Sequence, residues 1–157
     1  MSWNSHNLTY NVIQRTSQPH ENDSKEEVGT MNPETKLWKL LKKNTPEIKW
    51  SRIESWAVPG IPDLLGYHDS CGFFTVELKV TTTKKVRFSP HQILFHSTHT
   101  KRNFILVQQT EKASSRSIKL YGSTSILGLL TDVRETPCLA LDDWSHIQRL
   151  MLNAPLA

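Results

Sequence analysis

The eight residues FFTVELKV, positions 73–80, constrain this chain most. β-Branched and aromatic residues dominate the run, which predicts a strand. Side chains alternate along a strand, so Phe74, Val76, Leu78 and Val80 share one face, and Phe73, Thr75, Glu77 and Lys79 the other. The first set is a clean core face. The second places a carboxylate and an ammonium two residues apart in the strongest strand of the chain. A charge buried there is costly unless it is paired or bound to a metal. A lone Glu-x-Lys is more often a solvated ladder on an exposed face, so the neighbours must decide.

Those neighbours predict one mixed sheet. NPETKLWKLLKK (32–43) reads as a helix, with Asn32 as N-cap, Pro33 at the first position and Leu37, Leu40 and Leu41 on one side. IKWSRIES (48–55) and PDLLGY (62–67) read as strands, and HDSCG as the hairpin turn into 73–80. SPHQILFHSTHTK (89–101) reads as a helix opened by Ser89 and Pro90. NFILVQQ (103–109) has the continuous apolar character of a central strand, and SIKLYG (117–122) reads as an edge strand. Helices are expected over 123–132 and 141–152, the second capped by Asp142 or Asp143. The fold class is α/β: an αβββαβ core around a central mixed sheet, flanked by helices. Residues 1–30 are polar and aperiodic, apart from a short strand candidate at YNVIQ, and are expected to pack loosely. The expected division is 1–30, a core of 31–122 and a C-terminal helical extension of 123–157. Apolar residues in that extension, among them Ile126, Leu129, Ile147 and Met151, either cover the chain's own sheet or form a dimer surface.

Asp63 opens the strand beside Glu77, so the hairpin brings two carboxylates together. They repel each other. A divalent cation relieves that repulsion, and hard oxygen ligands suit Mg²⁺, with Mn²⁺ as a substitute. Such a cation, held by Asp63, Glu77 and the Leu78 carbonyl, can bind a phosphodiester oxygen and activate water. Lys79 can offset the negative charge that develops. Three histidines, His91, His96 and His99, lack metal-ligand spacing. The loop Lys84, Lys85 and Arg87, with Ser89, follows the strand and suits phosphate contacts.

GIPD, thirteen residues, then ELK resembles the PD-(D/E)xK nuclease superfamily, with Asp63, Glu77 and Lys79 at its motif positions. GIPDLLG, VELKV and KKVRFSPHQ together look like the virus-type replication-repair nuclease branch (VRR-NUC) and the related archaeal Holliday-junction resolvases. The resemblance spans about residues 33 to 109. It implies a restriction-endonuclease-like core and a Mg²⁺-dependent DNA endonuclease acting on branched DNA. It also implies a helix-borne glutamine, Gln92, at the site, and an accessory carboxylate on the first helix. Glu34 fits that last position, with Glu54 as competitor and Ser55 as a weaker candidate nearby. Paired cuts on a junction would need two sites, hence a homodimer. A sequence-specific homing or restriction enzyme, or a silent DNA-binding module, are the alternatives on the same core.

Composition agrees without deciding. The formal charge is +4 and 37% of residues are hydrophobic. A basic surface tolerates a polyanionic partner but does not demand one. Cys71 and Cys138 lack a metal-ligand spacing and read as free thiols. The N-terminus lacks a signal-peptide pattern, and no apolar run reaches the roughly 20 residues of a membrane span. The expected location is the cytoplasm, including that of a phage host.

Overall fold

The structure is a computed structural model, and it describes residues 31–54, 58–112 and 115–154. The strand candidate at YNVIQ, and Ser55 and Trp56, lie outside the described residues. Six strands form one sheet in sequence order: β1 (Lys49–Arg52), β2 (Leu64–His68), β3 (Gly72–Thr81), β4 (Asn103–Lys112), β5 (Ser115–Gly122) and β6 (Ala140–Leu141). Only β3 and β4 pair in parallel; every other neighbour is antiparallel. The helices are α1 (Pro33–Asn44), α2 (Pro90–Thr98), α3 (Ile126–Thr131, entered through a 3₁₀ turn) and α4 (Trp144–Leu152). The order α-β-β-β-α-β expected for the core is present over α1 to β4.

A parallel pair needs a crossover, and α2 supplies it. The β3–α2–β4 unit therefore lays α2 against one face of β3. That face is the one carrying Glu77 and Lys79. Ile105, Val107 and Tyr121 lie beside it, and Val86, Ile126 and Leu129 complete a second core. The opposite face, with Phe74, Val76 and Leu78, builds the main core with Leu37 and Leu41 of α1 and Ile147 and Met151 of α4. Trp50 stands edge-on to both Trp38 and Phe74, at 6.0 and 5.6 Å, and its indole N–H donates to Thr45 Oγ1 at 2.9 Å. The apolar C-terminal residues Ile126, Leu129, Ile147 and Met151 are thus buried in this chain's own cores.

One expectation changes. β5 is not an edge strand, because β6 pairs outside it at Lys119↔Leu141 and Leu120↔Ala140. A two-residue bridge is too short to leave a periodicity. The α4 cap is Asp143, whose side chain accepts from His146 N. Asp142 instead turns back, at φ 51°, to accept from the Ile118 N–H.

The loop before β2 is fixed by Gly60. Its φ is +91°, and a Cβ there would lie 2.6 Å from the backbone of His91 in α2. The PGIPD segment is thereby seated on the first turn of α2, next to the residues of the site. Gly60→Ala must both strain the backbone and push α2 away. We expect it to lower stability by roughly 1–3 kcal/mol, measured by chemical denaturation; an unchanged midpoint would contradict this close seat.

Candidate active site

The site lies at the start of β2, where β3 runs on past it. The register Leu64↔Val76 puts Asp63 opposite Glu77. Past the start of β2, Leu78 N–H has no strand partner on that side, and Asp63 Oδ2 accepts it at 2.8 Å. The Asp63 carbonyl in turn accepts from Ile53 N at 2.7 Å. Within a strand residue, N–H and C=O face the same neighbour. The Leu78 carbonyl therefore faces the Asp63 side as well.

Glu77 is fully buried. Its Oε1 accepts from Lys79 Nζ at 2.8 Å and from Gln92 Nε2. Its Oε2 is buried and has no hydrogen-bond partner. Burial, with help from the nearby Asp63 charge, pushes the Glu77 carboxyl up to about 7, against the opposing pull of Lys79. An exposed-ladder role for Glu77 is excluded by this burial. Lys79 is only 14% exposed and rests over the Phe88 ring at 5.2 Å.

Gln92 holds the pair in place. Ser89 and Gln92 form a capping box: Ser89 Oγ accepts from Gln92 N at 3.2 Å, and Gln92 Oε1 accepts from Ser89 N at 3.0 Å. The same Oε1 also accepts from Lys79 Nζ at 3.3 Å. One amide thus ties the start of α2 to both charges. The Ser89 cap was legible in the sequence and the resemblance put Gln92 at the site; that one amide serves both was not.

Glu34 sits in the first turn of α1 and is half-buried. Burial raises its carboxyl, the Lys79 charge lowers it, and Asp63 raises it further. It lines a cleft of about 470 Å³ with Lys79, Thr81, Thr83, Lys85 and Arg87. Glu54 is exposed and is not among the charges acting on Glu34 or Glu77.

The basic loop is built by threonines. Thr81 Oγ1 and Thr83 Oγ1 both donate to the Lys85 carbonyl, at 2.9 and 3.0 Å. Val133 N reaches the Lys84 carbonyl at 2.7 Å, and Val86 N reaches the Leu129 carbonyl at 2.9 Å. Lys84, Lys85 and Arg87 stay exposed on this pinned turn. Local spacing could have suggested the hydroxyl turn in TTTKK, but not its anchorage on α3.

Sequence reasoning missed His96. It is fully buried one turn after Gln92, stands edge-on to Phe88 at 6.2 Å, and neither ring nitrogen has a hydrogen-bond partner. Burial, reinforced by the Lys79 charge, lowers its imidazole to about 4 and keeps it neutral.

Among the described residues no three His, Cys, Asp or Glu side chains form a ready metal cage. Mg²⁺ does not require one, since it commonly takes one or two carboxylates and completes its shell with water and phosphate. The partnerless Glu77 Oε2 opposite Asp63 fits such an ion.

No family model matches the chain, and no curated protein matches it in sequence. Among solved structures, a Holliday junction resolvase from the archaeal hyperthermophile Archaeoglobus fulgidus is similar with a TM-score of 0.44 and 14% identity, over 75% of this chain and 96% of that one. The likeness is too distant to fix an activity. Among the described residues no helix is long and apolar enough to cross a membrane.

The raised Glu77 carboxyl has a consequence for stability without metal. The folded state holds a proton between pH 4.5 and about 7 that the unfolded state has released. This stabilises the fold below pH 4.5 and is lost as pH rises through 7. His96 acts oppositely: its lowered folded value stabilises above 6.5, and that share is lost as pH falls through about 4. Comparing wild type with Glu77→Gln isolates the first effect. In EDTA, the variant should gain on wild type by up to about 3 kcal/mol between pH 5 and pH 8, measured by denaturation at both pH values. A pH-independent difference would contradict it.

Proposed function

We propose that the protein is a Mg²⁺-dependent DNA endonuclease that hydrolyses phosphodiester bonds in branched DNA. The observation that carries this reading is Glu77, a buried carboxylate in a central strand with one oxygen unpartnered, facing Asp63 beside a basic cleft. A structural salt bridge would not leave that oxygen bare, nor set a second carboxylate opposite it. The PD…ExK spacing supports the same chemistry.

Asp63, Glu77 and the Leu78 carbonyl would hold the cation, with Glu34 as accessory ligand; Mn²⁺ should substitute. A cation there supplies Lewis acidity to a bound phosphodiester. Lys79 places fixed positive charge beside the scissile phosphate, in a site sheltered by Phe88 and α2. Gln92 positions both Glu77 and Lys79. Lys84, Lys85, Arg87 and Ser89 would contact phosphates flanking the cut and carry affinity rather than sequence choice. Symmetric junction cutting would pair two copies as a homodimer. A cytoplasmic setting, including a phage-infected cell, suits the activity.

The test uses labelled four-way junction, flap, single-stranded and linear duplex DNA in Mg²⁺, Mn²⁺ and EDTA. Metal-dependent paired nicks on the junction are expected, absent in Glu77→Ala and reduced about 10²-fold or more in Lys79→Ala. Cleavage of a single duplex sequence would favour a restriction or homing enzyme. A wild type that cuts nothing with either metal would overturn the catalytic reading. Lys85→Ala and Arg87→Ala should each weaken binding on every DNA alike. Each should also flatten the dependence of log Kd on log salt by about 0.9, read by titration at several salt concentrations; an unchanged slope would remove those residues from the DNA path.

A further inference from the structure

At the other end of β3 the sheet face that carries Glu77 is uncovered. Phe73 is 62% exposed and stacks obliquely on Tyr67, with ring centroids 4.8 Å apart. Phe95 stacks on His99 at 4.2 Å and 14°. Between these rings runs a groove of about 340 Å³, lined by Leu65, Phe73, Phe95, His99, Lys101 and Arg102. Lys49 lies over the Tyr67 ring at 5.4 Å. The Arg102 Nε–H donates to the Phe73 carbonyl at 2.9 Å, and its guanidinium lies over the Phe74 ring at 6.0 Å. Lys101 and Arg102 give this groove a cationic end that suits a phosphate backbone.

Resting on the nuclease reading above, we infer that this groove binds unpaired nucleotides of the DNA beside the cut, stacking a base on Phe73. Aromatic faces set among cations are how single strands are held without sequence preference. Phe73 and Glu77 share one face of β3, roughly 13 Å apart along the strand, so a strand seated in the groove leads toward the carboxylates. A second copy of this chain fits less well. An isologous contact would bring two like-charged patches together, since each copy presents Lys101 and Arg102, and the exposed Asp69 is already ion-paired with Lys49 at 3.6 Å. The substrate class that follows is DNA with a single-stranded segment adjoining the cut, as at a flap, fork or opened junction.

The experiment is fluorescence anisotropy in EDTA, where cleavage is blocked, on a short labelled single strand and a blunt duplex of the same sequence. Phe73→Ala and Phe73→Leu should each weaken single-strand binding about tenfold and leave duplex binding within about twofold; Phe73→Trp should restore the single-strand affinity. Unchanged single-strand affinity in Phe73→Ala would overturn the inference. So would an equal loss on duplex, or a shift from dimer to monomer in sedimentation with DNA affinity intact, which would assign the face to a second copy. The two readings fail separately. Ring-dependent single-strand binding by a protein that cuts nothing removes the nuclease alone, whereas junction cleavage with ring-independent binding removes the groove alone.

Discussion

A carboxylate inside a sheet is the constraint on which the rest of this structure turns. Glu77 shares its strand face with Thr75 and Lys79, and its neighbours in the next strands are Ile105 and Tyr121. Leaving water costs several kcal/mol unless partners replace the lost hydration. Lys79 and Gln92 replace it for one oxygen only. The other stays bare. A hard divalent cation, as proposed, would match both the charge and the oxygen chemistry.

The surrounding fold is arranged to hold that defect. The parallel β3–β4 pair forces a crossover, and the crossover helix carries Gln92. Its capping box spends the Gln92 carbonyl oxygen on the helix start and leaves the amide N–H₂ for Glu77. Asp63 stands immediately before β2, where it satisfies Leu78 N–H and faces Glu77 at once. Gly60 lets the preceding loop press on α2 with no side chain between. The threonine turn then presents Lys84, Lys85 and Arg87 without giving up its own backbone partners. The proposed chemistry and the packing thus draw on the same few residues.

Much of this was legible in the sequence, because the signals were local. Alternation in 73–80 separated the core face from the charged face correctly, and the N-caps Asn32 and Ser89 are where the residue types put them. The hairpin spacing placed Asp63 against Glu77. What escaped depends on distant packing. β6 is two residues long and exists only through its pairing with β5. His96 reads as a surface histidine, yet its place on α2 buries it beside Phe88. The anchorage of the basic loop on α3 joins segments some fifty residues apart, and no pattern in either one announces it. The aromatic groove likewise gathers residues from β2, β3, α2 and the loop before β4, none of which is unusual alone.

The most direct test of the central claim is to locate a metal. Crystals grown with Mn²⁺ would be measured at the manganese absorption edge. The account predicts an anomalous peak within coordinating distance, about 2.0–2.2 Å, of Glu77 Oε2 and of an Asp63 oxygen, and no peak there in Glu77→Gln. A wild-type site without manganese, at a concentration that supports cleavage, would show that the bare oxygen has another purpose and would contradict the account.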